Sequence, residues 1–376
     1  MSEWEERKIK DCVVVGNSKV GKVKKSEFLS EGKYPIVDQS QSYISGYQNY
    51  SEFVYSGEIP VVIYGDHTNI VKHIDFQFIQ GADGIKVLIP KQDFDSKYLF
   101  YALNYFKPES KGYRRHFSIL KKIEIPFPKS IKEQRRIVKK LDALFAEIDT
   151  SLALIDKNIE QAEALKLSVL DEEFGRIEAN KMPITEVAKF RPKKSEVRDL
   201  SNLDCSFVPM KVLNEKRIGF VPEETRKIEK VYKGYTYFKD GDVLLAKVTP
   251  CFQNRKAGVA KNLINGIGFG SSEFLVFRPL QGLLPEYLYY FFMKTDFINN
   301  GVINMTGAVG LKRVPKRYIE SVEIPFPDKQ EQENLIEKIG KVYSETDSLI
   351  TQYKSKRQQL EALKSSLLDQ AFKGEL

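Results

Sequence analysis

Two stretches of the chain repeat the same phrase, and this duplication sets the order of its parts. Glu124-Ile125-Pro126-Phe127-Pro128 recurs as Glu323-Ile324-Pro325-Phe326-Pro327. A Glu-Gln pair and a long charged segment with regular apolar spacing follow each copy. The charged segments also end alike, since Glu163-Ala164-Leu165-Lys166 recurs 198 residues later as Glu361-Ala362-Leu363-Lys364. The sequence therefore predicts the order globe, helix, globe, helix, in which two similar helices carry two different globes.

The charged segments have the apolar spacing of a coiled coil. In the first, apolar residues recur every three or four positions, at Leu141, Phe145, Ile148, Leu152, Ile155 and Ile159. The second repeats the pattern, interrupted by Arg357, at Ile339, Tyr343, Ile350, Tyr353 and Leu360. Such a seam is narrower than the apolar stripe of a helix that packs on a globular core. We therefore predict one helix over residues 131–173, about 65 Å long at about 1.5 Å per residue, packed antiparallel on the second helix. The alternative is that each helix packs only on its own globe.

Both globes are expected to mix strands and helices. Runs of β-branched and aromatic residues bounded by turn residues predict short strands, and these runs lie at residues 12–15, 53–55, 60–64, 85–89, 242–246 and 274–277. Apolar helices are predicted at residues 97–106 and 285–293. The predicted fold class is α+β, with two mixed α/β globes joined by two long helices in an antiparallel coiled coil with a pseudo two-fold repeat. The expected domains are a globe at residues 1–128, a helix at 129–175, a globe at 176–327 and a helix at 328–376.

The positive charge lies mainly on the second globe. The chain has a net charge of +8, and residues 182–327 carry 23 Lys and Arg against 15 Asp and Glu. Residues 1–128 carry 18 against 16, and the two helical segments are close to neutral. Basic globes on neutral helices favour a polyanionic partner such as nucleic acid. Charge that serves only solubility is the alternative.

Composition also restricts the compartment and the chemistry. Three scattered cysteines, Cys12, Cys205 and Cys251, form neither a disulfide framework nor a zinc-binding spacing, which favours the cytoplasm. The sequence contains no run of 18 apolar residues, so no membrane span is predicted. No recognised catalytic motif is present, so we expect no active site and no metal. Residues 16–23 nearly spell a P-loop, but Val23 lacks the hydroxyl that binds magnesium. A basic turn containing Lys22 is the preferred interpretation, and a nucleotide hydrolase is the alternative.

Two loops in corresponding positions carry adjacent basic residues. The loop before the first repeated phrase contains Lys111, Tyr113, Arg114 and Arg115, and the loop before the second contains Lys312 and Arg313. Adjacent basic residues at the same place in both globes are expected of contacts to DNA phosphates or base edges. A solvated surface loop is the alternative.

With these features the chain resembles the specificity subunit of type I restriction–modification systems. The resemblance rests on the repeated phrases, the Glu-Gln pairs and the helix ends, and on stretches that are similar to target-recognition domains, at residues 64–69, 238–256 and 268–274. Those stretches supply further candidate DNA contacts, namely His67, Thr68, Lys247, Thr249, Asn254, Arg255, Lys256, Ser271 and Ser272.

The resemblance implies a DNA reader without catalytic activity. Each target-recognition domain would read one half of a bipartite, asymmetric site, and the helices would set the gap between the halves. The implied partners are double-stranded DNA, two modification subunits that bind S-adenosylmethionine and methylate adenine N6, and restriction subunits that use ATP and Mg²⁺. No cofactor is expected in this chain. The alternative is a coiled-coil scaffold that brings two ligand-binding globes together without DNA.

Overall fold

The structure, a computed structural model, describes residues 3–16, 23–81, 84–109, 112, 114–214, 218–308 and 310–376. It divides into two compact units. The first unit comprises Met1–Asp156 and Lys354–Leu376, and the second comprises Lys157–Tyr353. Each unit therefore contains one globe together with part of each long helix.

The first half of the chain begins with short strands and ends in a long helix. Its elements are β1 (Trp4–Lys8), α1 (Ile9–Cys12), β2 (Val13–Val15), β3 (Tyr34–Val37), β4 (Gly46–Gln48), β5 (Val61–Gly65), β6 (Val71–Ile74), β7 (Ile79–Gln80), β8 (Ile85–Pro90), α2 (Ser96–Phe106), α3 (Phe117–Leu120), β9 (Glu124–Pro128) and α4 (Ile131–Gly175).

The second half follows the same plan with a larger globe. Its elements are β10 (Lys181–Pro183), α5 (Ile184–Val187), β11 (Ala188–Phe190), β12 (Asp204–Val208), β13 (Glu224–Lys227), α6 (Ile228–Val231), β14 (Thr236–Lys239), β15 (Val243–Ala246), β16 (Ala257–Val259), β17 (Ile267–Gly270), β18 (Phe274–Pro279), α7 (Pro285–Met293), α8 (Thr295–Ile303), β19 (Thr306–Ala308), β20 (Leu311–Arg313), α9 (Lys316–Glu320), β21 (Glu323–Pro325) and α10 (Lys329–Lys373).

The two globes share one sheet topology. A four-stranded antiparallel sheet has the order β2-β8-β5-β6 in the first globe and β11-β18-β15-β16 in the second. A further sheet in each globe contains one parallel pair, β3 with β7 and β12 with β17. Strand β14 extends that sheet in the second globe. The common order and direction of the strands confirm the duplication that the repeated phrases predict.

A buried helix covers the antiparallel sheet in each globe, as the apolar runs predict. The Asp95 carboxylate caps the start of α2, because it accepts hydrogen bonds from the backbone N–H groups of Lys97 and Tyr98 at 3.0 and 3.1 Å. Helix α7 instead begins with Pro285, whose missing N–H costs nothing in the first turn. Every residue from Tyr287 to Met293 is buried, so α7 lies in the core of its globe.

A buried glutamine fixes the first globe to the start of α4. The Oε1 atom of Gln134 accepts a hydrogen bond from the backbone N–H of Asp95 at 2.8 Å. Its Nε2 atom donates to the carbonyl oxygens of Asp93 and Pro128, both at 2.9 Å. The side chain is fully buried, and it satisfies the buried carbonyl of Pro128 together with two partly buried backbone groups.

Gln332 does the same for the second globe and α10. Its Oε1 atom accepts from the N–H of Leu284 at 2.9 Å, and its Nε2 atom donates to the carbonyls of Gly282 and Pro327 at 2.8 and 3.1 Å. This side chain is also fully buried. The repeated Glu-Gln pair is therefore a structural junction between globe and helix.

Tyrosine hydroxyls hold the prolines of the repeated phrase. Tyr98 donates to the carbonyl of Pro126 at 2.9 Å, and Tyr287 donates to that of Pro325 at 2.8 Å. Each phrase forms one strand of a two-stranded sheet, β9 with β1 and β21 with β10. Proline is tolerated there because one edge of such a strand has no ladder to interrupt.

The long helices run antiparallel in both units. In the first unit Asp149 of α4 pairs with Lys364 of α10, and Asp156 pairs with Arg357 at 3.2 Å. In the second unit Lys166 pairs with Asp347, and Glu173 pairs with Lys338 at 2.7 Å. Residue numbers rise along one helix as they fall along the other, which confirms the predicted antiparallel coiled coil. Arg357, which interrupts the apolar seam, contributes an ion pair between the helices.

Each repeated helix end packs on the globe of the other repeat. Phe372 at the end of α10 contacts Tyr98 and Phe106 of the first globe, with ring centroids 5.5 and 5.3 Å apart. Phe174 at the end of α4 contacts Tyr287 of the second globe at 5.1 Å. The similar end phrases therefore meet equivalent surfaces.

The predicted strand at residues 53–55 is wrong. A 3₁₀ turn occupies Ser51–Phe53, and Val54 makes only an isolated bridge to Ile79. The aromatic character that favoured a strand is used in packing, since Tyr55 stacks on Phe78 with ring centroids 5.1 Å apart.

We predict that Gln332→Leu lowers the free energy of unfolding by about 1–3 kcal/mol, because it leaves the buried carbonyl of Pro327 and two partly buried backbone groups without this partner. Gln330→Leu is the matched control in the same helical turn. Gln330 is exposed, so its replacement should change the free energy by about 0.5 kcal/mol or less. Urea unfolding of the full chain measures both. Equal values for the two variants would contradict the junction role.

Candidate nucleic-acid interface

A β-hairpin lies on the surface of the second globe, between α8 and α9. Strands β19 and β20 pair antiparallel, with Gly307 opposite Lys312. Gly307 and Gly310 have φ angles of 125° and 83°, in the region that favours glycine. Leu311 and Lys312 are exposed. The predicted loop that contains Lys312 and Arg313 is therefore part of a hairpin, whose strands are too short and glycine-rich to be recognised in the sequence.

Thr249 fastens this hairpin to the globe. Its backbone N–H donates to the carbonyl of Lys312 at 3.0 Å, and its Oγ1 atom accepts from the N–H of Lys312 at 3.0 Å. The same hydroxyl lies 3.2 Å from the carbonyl of Gly310, to which it donates. The structure thus places Thr249 as an anchor of the hairpin, with its hydroxyl already bonded.

Two basic side chains at the base of the hairpin share one carboxylate. Arg313 donates from Nε and Nη2 to the two oxygens of Glu273 at 2.9 and 2.8 Å. Lys247 Nζ lies 3.7 Å from the same carboxylate and donates to the carbonyl of Ser272 at 2.8 Å. The hydrogen bonds from Arg313 hold the pKa of Glu273 below its ordinary value. Burial lowers the pKa of Lys247, and the charge of Glu273 opposes that shift.

A basic pocket of about 470 Å³ adjoins this cluster. Arg191, Lys194 and Lys247 line it together with the rings of Tyr235 and Tyr237. Arg191 has a φ of 52°, a left-handed conformation that a non-glycine residue rarely adopts. Cationic groups beside aromatic rings suit a phosphate and a base of nucleic acid.

Sequence reasoning missed Arg191, Lys194 and Tyr235 as site residues. Arg191 and Lys194 are distant in the chain from the stretches that resemble target-recognition domains, and Tyr235 lies just before the stretch at residues 238–256. They reach the pocket only because β11 and β14 lie in two different sheets that bring their ends together. The left-handed backbone conformation of Arg191, which precedes a proline, cannot be recognised from the sequence.

The other candidate residues of the second globe have varied surroundings. Asn254 and Ser272 are exposed, and Lys256 and Ser271 are partly buried. Arg255 donates from Nε to the carbonyl of Met293 at 3.1 Å, which ties it to the end of α7. Lys312 is thus an exposed cation of this surface, whereas Arg313 and Arg255 already have protein partners.

In the first globe the segment before α3 is tied to the turn at residues 66–69. The backbone N–H of His116 donates to the carbonyl of Asp66 at 2.8 Å. The buried Asp66 carboxylate accepts from the N–H of Phe117 at 2.8 Å. The second globe has an equivalent backbone bond, since the N–H of Val314, before α9, donates to the carbonyl of Lys247, after β15, at 2.9 Å. The two candidate loops therefore lie at equivalent places on the common fold.

The candidate side chains of the first globe lie at this turn and in the segment beside it. Arg114 and Arg115 are exposed, and His67 and Thr68 are partly buried. Lys22, Lys111 and Tyr113 lie outside the described residues, as does most of the turn that resembles a P-loop.

The predicted seam of the coiled coil is buried to varying degrees. Its fully buried members are Leu141, Ile148, Ile155, Ile339 and Ile350. The partly buried members are Phe145, Leu152, Ile159, Tyr343, Tyr353 and Leu360.

Within the described residues no three His, Cys, Asp or Glu side chains are grouped so as to hold a metal ion. Among the helices formed by these residues, none combines the length and apolar character that a membrane crossing requires.

A duplicated fold with equivalent basic loops defines a class of two-globe protein with paired helices. Residues 1–161 and 177–362 match the family described as type I restriction modification DNA specificity domain. Because this match covers most of the chain, the protein belongs to that family, as the sequence resemblance predicted.

The similar curated proteins are specificity subunits. The chain is 38% identical over 191 residues to the type I restriction enzyme EcoAI specificity subunit of Escherichia coli, across 50% of this chain and 32% of that protein. It is 37% identical over 191 residues to the EcoEI subunit of the same organism, with the same coverage. The match therefore spans about a third of the length of these two relatives. The EcoR124I/EcoR124II subunit of Escherichia coli is 23% identical over 346 residues, which is 87% of this chain and 83% of that protein.

Two solved structures share the fold. One comes from work on complex assembly and conformational transition of the type I R-M system, with a TM-score of 0.72, 16% identity, and coverage of 99% of this chain and 98% of that chain. The other is the HsdS subunit from Thermoanaerobacter tengcongensis, with a TM-score of 0.54, 17% identity, and coverage of 99% and 97%. At these identities the likeness concerns the fold.

We predict that Thr249→Val loosens the hairpin without unfolding the globe. Losing the hydroxyl removes hydrogen bonds worth about 1 kcal/mol, so the Lys312 amide should exchange its hydrogen about fivefold faster. Hydrogen exchange measured by mass spectrometry over residues 306–314 tests this. Thr306→Val, at an exposed position of β19, is the matched control, and equal exchange in both variants would rule out the anchor role.

Proposed function

We propose that this chain is the DNA sequence-specificity subunit of a type I restriction–modification complex. The observation that carries the proposal is the pair of equivalent but dissimilar loops on a duplicated fold. The first is the segment containing Arg114 and Arg115, and the second is the hairpin containing Lys312. Two different reading surfaces on one repeated frame suit a bipartite DNA site whose halves differ in sequence.

We infer that each globe is one target-recognition domain, at residues 1–128 and 176–327. The exposed cations supply contacts to phosphates, which position a protein on DNA, and the loops supply contacts to base edges. Exposed Leu311 beside Lys312 adds an apolar side chain that suits the methyl group of thymine. The excess of 23 basic over 15 acidic residues in positions 182–327 supports this role. A scaffold without a DNA function gives no reason for that excess.

The long helices serve as the spacer in this proposal. Helix α4 has 45 residues, about 68 Å at about 1.5 Å per residue. Helix α10 also has 45 residues. Two helices of equal length, each fixed to a globe through a buried glutamine, are suited to set the gap between the two half-sites.

The proposed partners are two modification subunits, and the duplicated surfaces support two equivalent docking places. A cavity of about 490 Å³ in the second unit is lined by Lys166, Tyr289 and Tyr343. In the first unit a cavity of about 660 Å³ is lined by the residues at the corresponding positions, Lys364, Phe100 and Phe145. Equivalent grooves favour one kind of partner bound twice.

Exposed leucines on the helices support the same docking role. Leu165 and Leu363, which occupy corresponding positions of the repeat, are 51% and 44% exposed. In this proposal the modification subunits bind S-adenosylmethionine and methylate adenine N6, and restriction subunits supply ATP- and Mg²⁺-dependent cleavage. The chain itself contributes recognition and carries no catalytic residue.

We predict that Lys312→Ala weakens binding to the half-site read by the second globe, whereas Arg114→Ala weakens binding to the other half-site. Each lost contact should reduce affinity by about 1–3 kcal/mol if it reaches a base. The target is first located by mapping methylated adenines in host DNA with and without the chain. Gel shifts of the complex with its modification subunits, using sites with each half scrambled in turn, then measure the effects.

The control is Lys341→Ala, which removes an exposed cation from the helix α10. It should leave both half-sites unaffected. If Lys312→Ala and Arg114→Ala weaken binding equally for every sequence, the residues contact only phosphates and do not specify the site. Binding that does not weaken as salt rises would favour the scaffold alternative.

A further inference from the structure

A negative charge lies at the base of the hairpin of the second globe, where a DNA-binding surface is expected to be positive. Glu273 lies between β17 and β18, and both of its carboxylate oxygens accept hydrogen bonds from Arg313. Lys247 lies 3.7 Å from the same carboxylate. A carboxylate at this position repels an approaching phosphate group.

The geometry of the Arg313–Glu273 pair is the geometry with which arginine binds phosphate. A guanidinium group presents two parallel N–H donors, which fit either a carboxylate or a phosphate. Glu273 fills this pair of donors at 2.9 and 2.8 Å. A phosphate reaches them only by displacing the carboxylate. Arg313 is 42% exposed and Glu273 is 25% exposed, so the pair is accessible to such an exchange.

Other cations lie near the Arg313–Glu273 pair, so displacing Glu273 would expose more than one positive charge. Arg191 and Lys247 line the adjoining basic pocket, and Lys312 precedes Arg313 in β20. Without Glu273, the side chains of Arg191, Lys247, Lys312 and Arg313 would form a cluster of cations. Neither β18 nor the loop before it contains another acidic residue. Such a cluster binds any DNA, because the phosphate backbone is the same in every sequence.

We propose that Glu273 is a specificity-determining residue that competes with DNA phosphates for Arg313 and Lys247 and thereby restrains sequence-independent binding. This inference rests on the proposed DNA-reading function. A site-specific protein is useful only if its preferred site outcompetes the large excess of other DNA. Glu273 lowers the affinity for DNA of random sequence. On the correct half-site, contacts to the bases compensate for this loss, so the ratio of specific to non-specific affinity rises.

The test is Glu273→Gln in the complex with modification subunits. The probe is a fluorescent 40-base-pair duplex of random sequence, titrated by anisotropy at several salt concentrations. Freeing Arg313 for one phosphate contact should steepen the slope of log affinity against log salt by about 0.9 and raise affinity at 0.1 M salt by about fivefold to tenfold. Binding to the correct site should rise less, so the specificity ratio falls.

Two further variants make the result specific to this pair. Arg313→Ala alone should lower affinity for random DNA, because it leaves the Glu273 carboxylate with Lys247, at 3.7 Å, as its one remaining ion-pair partner among the described residues. Arg313→Ala combined with Glu273→Gln should lose most of the gain, since the gain requires the freed guanidinium. Glu224→Gln is the matched control, because Glu224 pairs with Arg226 at 2.6 Å in β13, at the edge of the other sheet.

The possible outcomes separate the interpretations. If Glu224→Gln produces the same gain as Glu273→Gln, the effect is one of net charge and the inference is wrong. It is equally wrong if Glu273→Gln leaves the salt dependence unchanged, or if it weakens binding to the correct site and alters the preferred base. That last result would make Glu273 a direct contact to a base amino group. Failure of the unaltered complex to prefer its mapped site would instead contradict the proposed function.

Discussion

The hydrogen bonds of one buried glutamine join each globe to the start of its helix. Gln134 and Gln332 each satisfy three backbone groups that lie at the end of a globe and the start of a helix. A buried group left without a partner costs about 1–3 kcal/mol, so the globe cannot turn freely on its helix without breaking several bonds. A rigid junction is the condition under which helix length can determine where a globe binds.

The end of each long helix packs on the globe of the other repeat. Phe372 at the end of the second helix packs on the first globe, and Phe174 at the end of the first helix packs on the second globe. Each compact unit thus contains one globe, the start of one helix and the end of the other. Because both globes receive a helix end, the end phrases are similar while the candidate loops differ. The duplicated frame is therefore separate from the candidate DNA-binding surfaces that it carries.

The frame could be predicted from the sequence because repetition and heptad spacing are local signals. The repeated phrases, the glutamines and the seam from Leu141 to Ile159 all lie in continuous segments. The candidate site was harder to predict, since it joins segments that are distant in the chain. Nothing near Arg313 in the sequence indicates that Glu273, 40 residues earlier, occupies its guanidinium. Arg191 enters the basic pocket through sheet packing, and Thr249, expected to contact DNA, is bonded to the hairpin. Short glycine-rich strands such as β19 also have too few alternating apolar and polar residues to be predicted as strands.

The most direct test is a variant in which seven residues are inserted in both helices, after Asp156 in α4 and after Tyr353 in α10. An insertion of one heptad preserves the apolar seam. Seven residues add about 10 Å, which corresponds to about three base pairs of DNA. Mapping methylated adenines should then show both half-sites unchanged in sequence and the gap between them about three base pairs longer. An active complex with an unchanged gap would contradict the claim that the paired helices set the spacing.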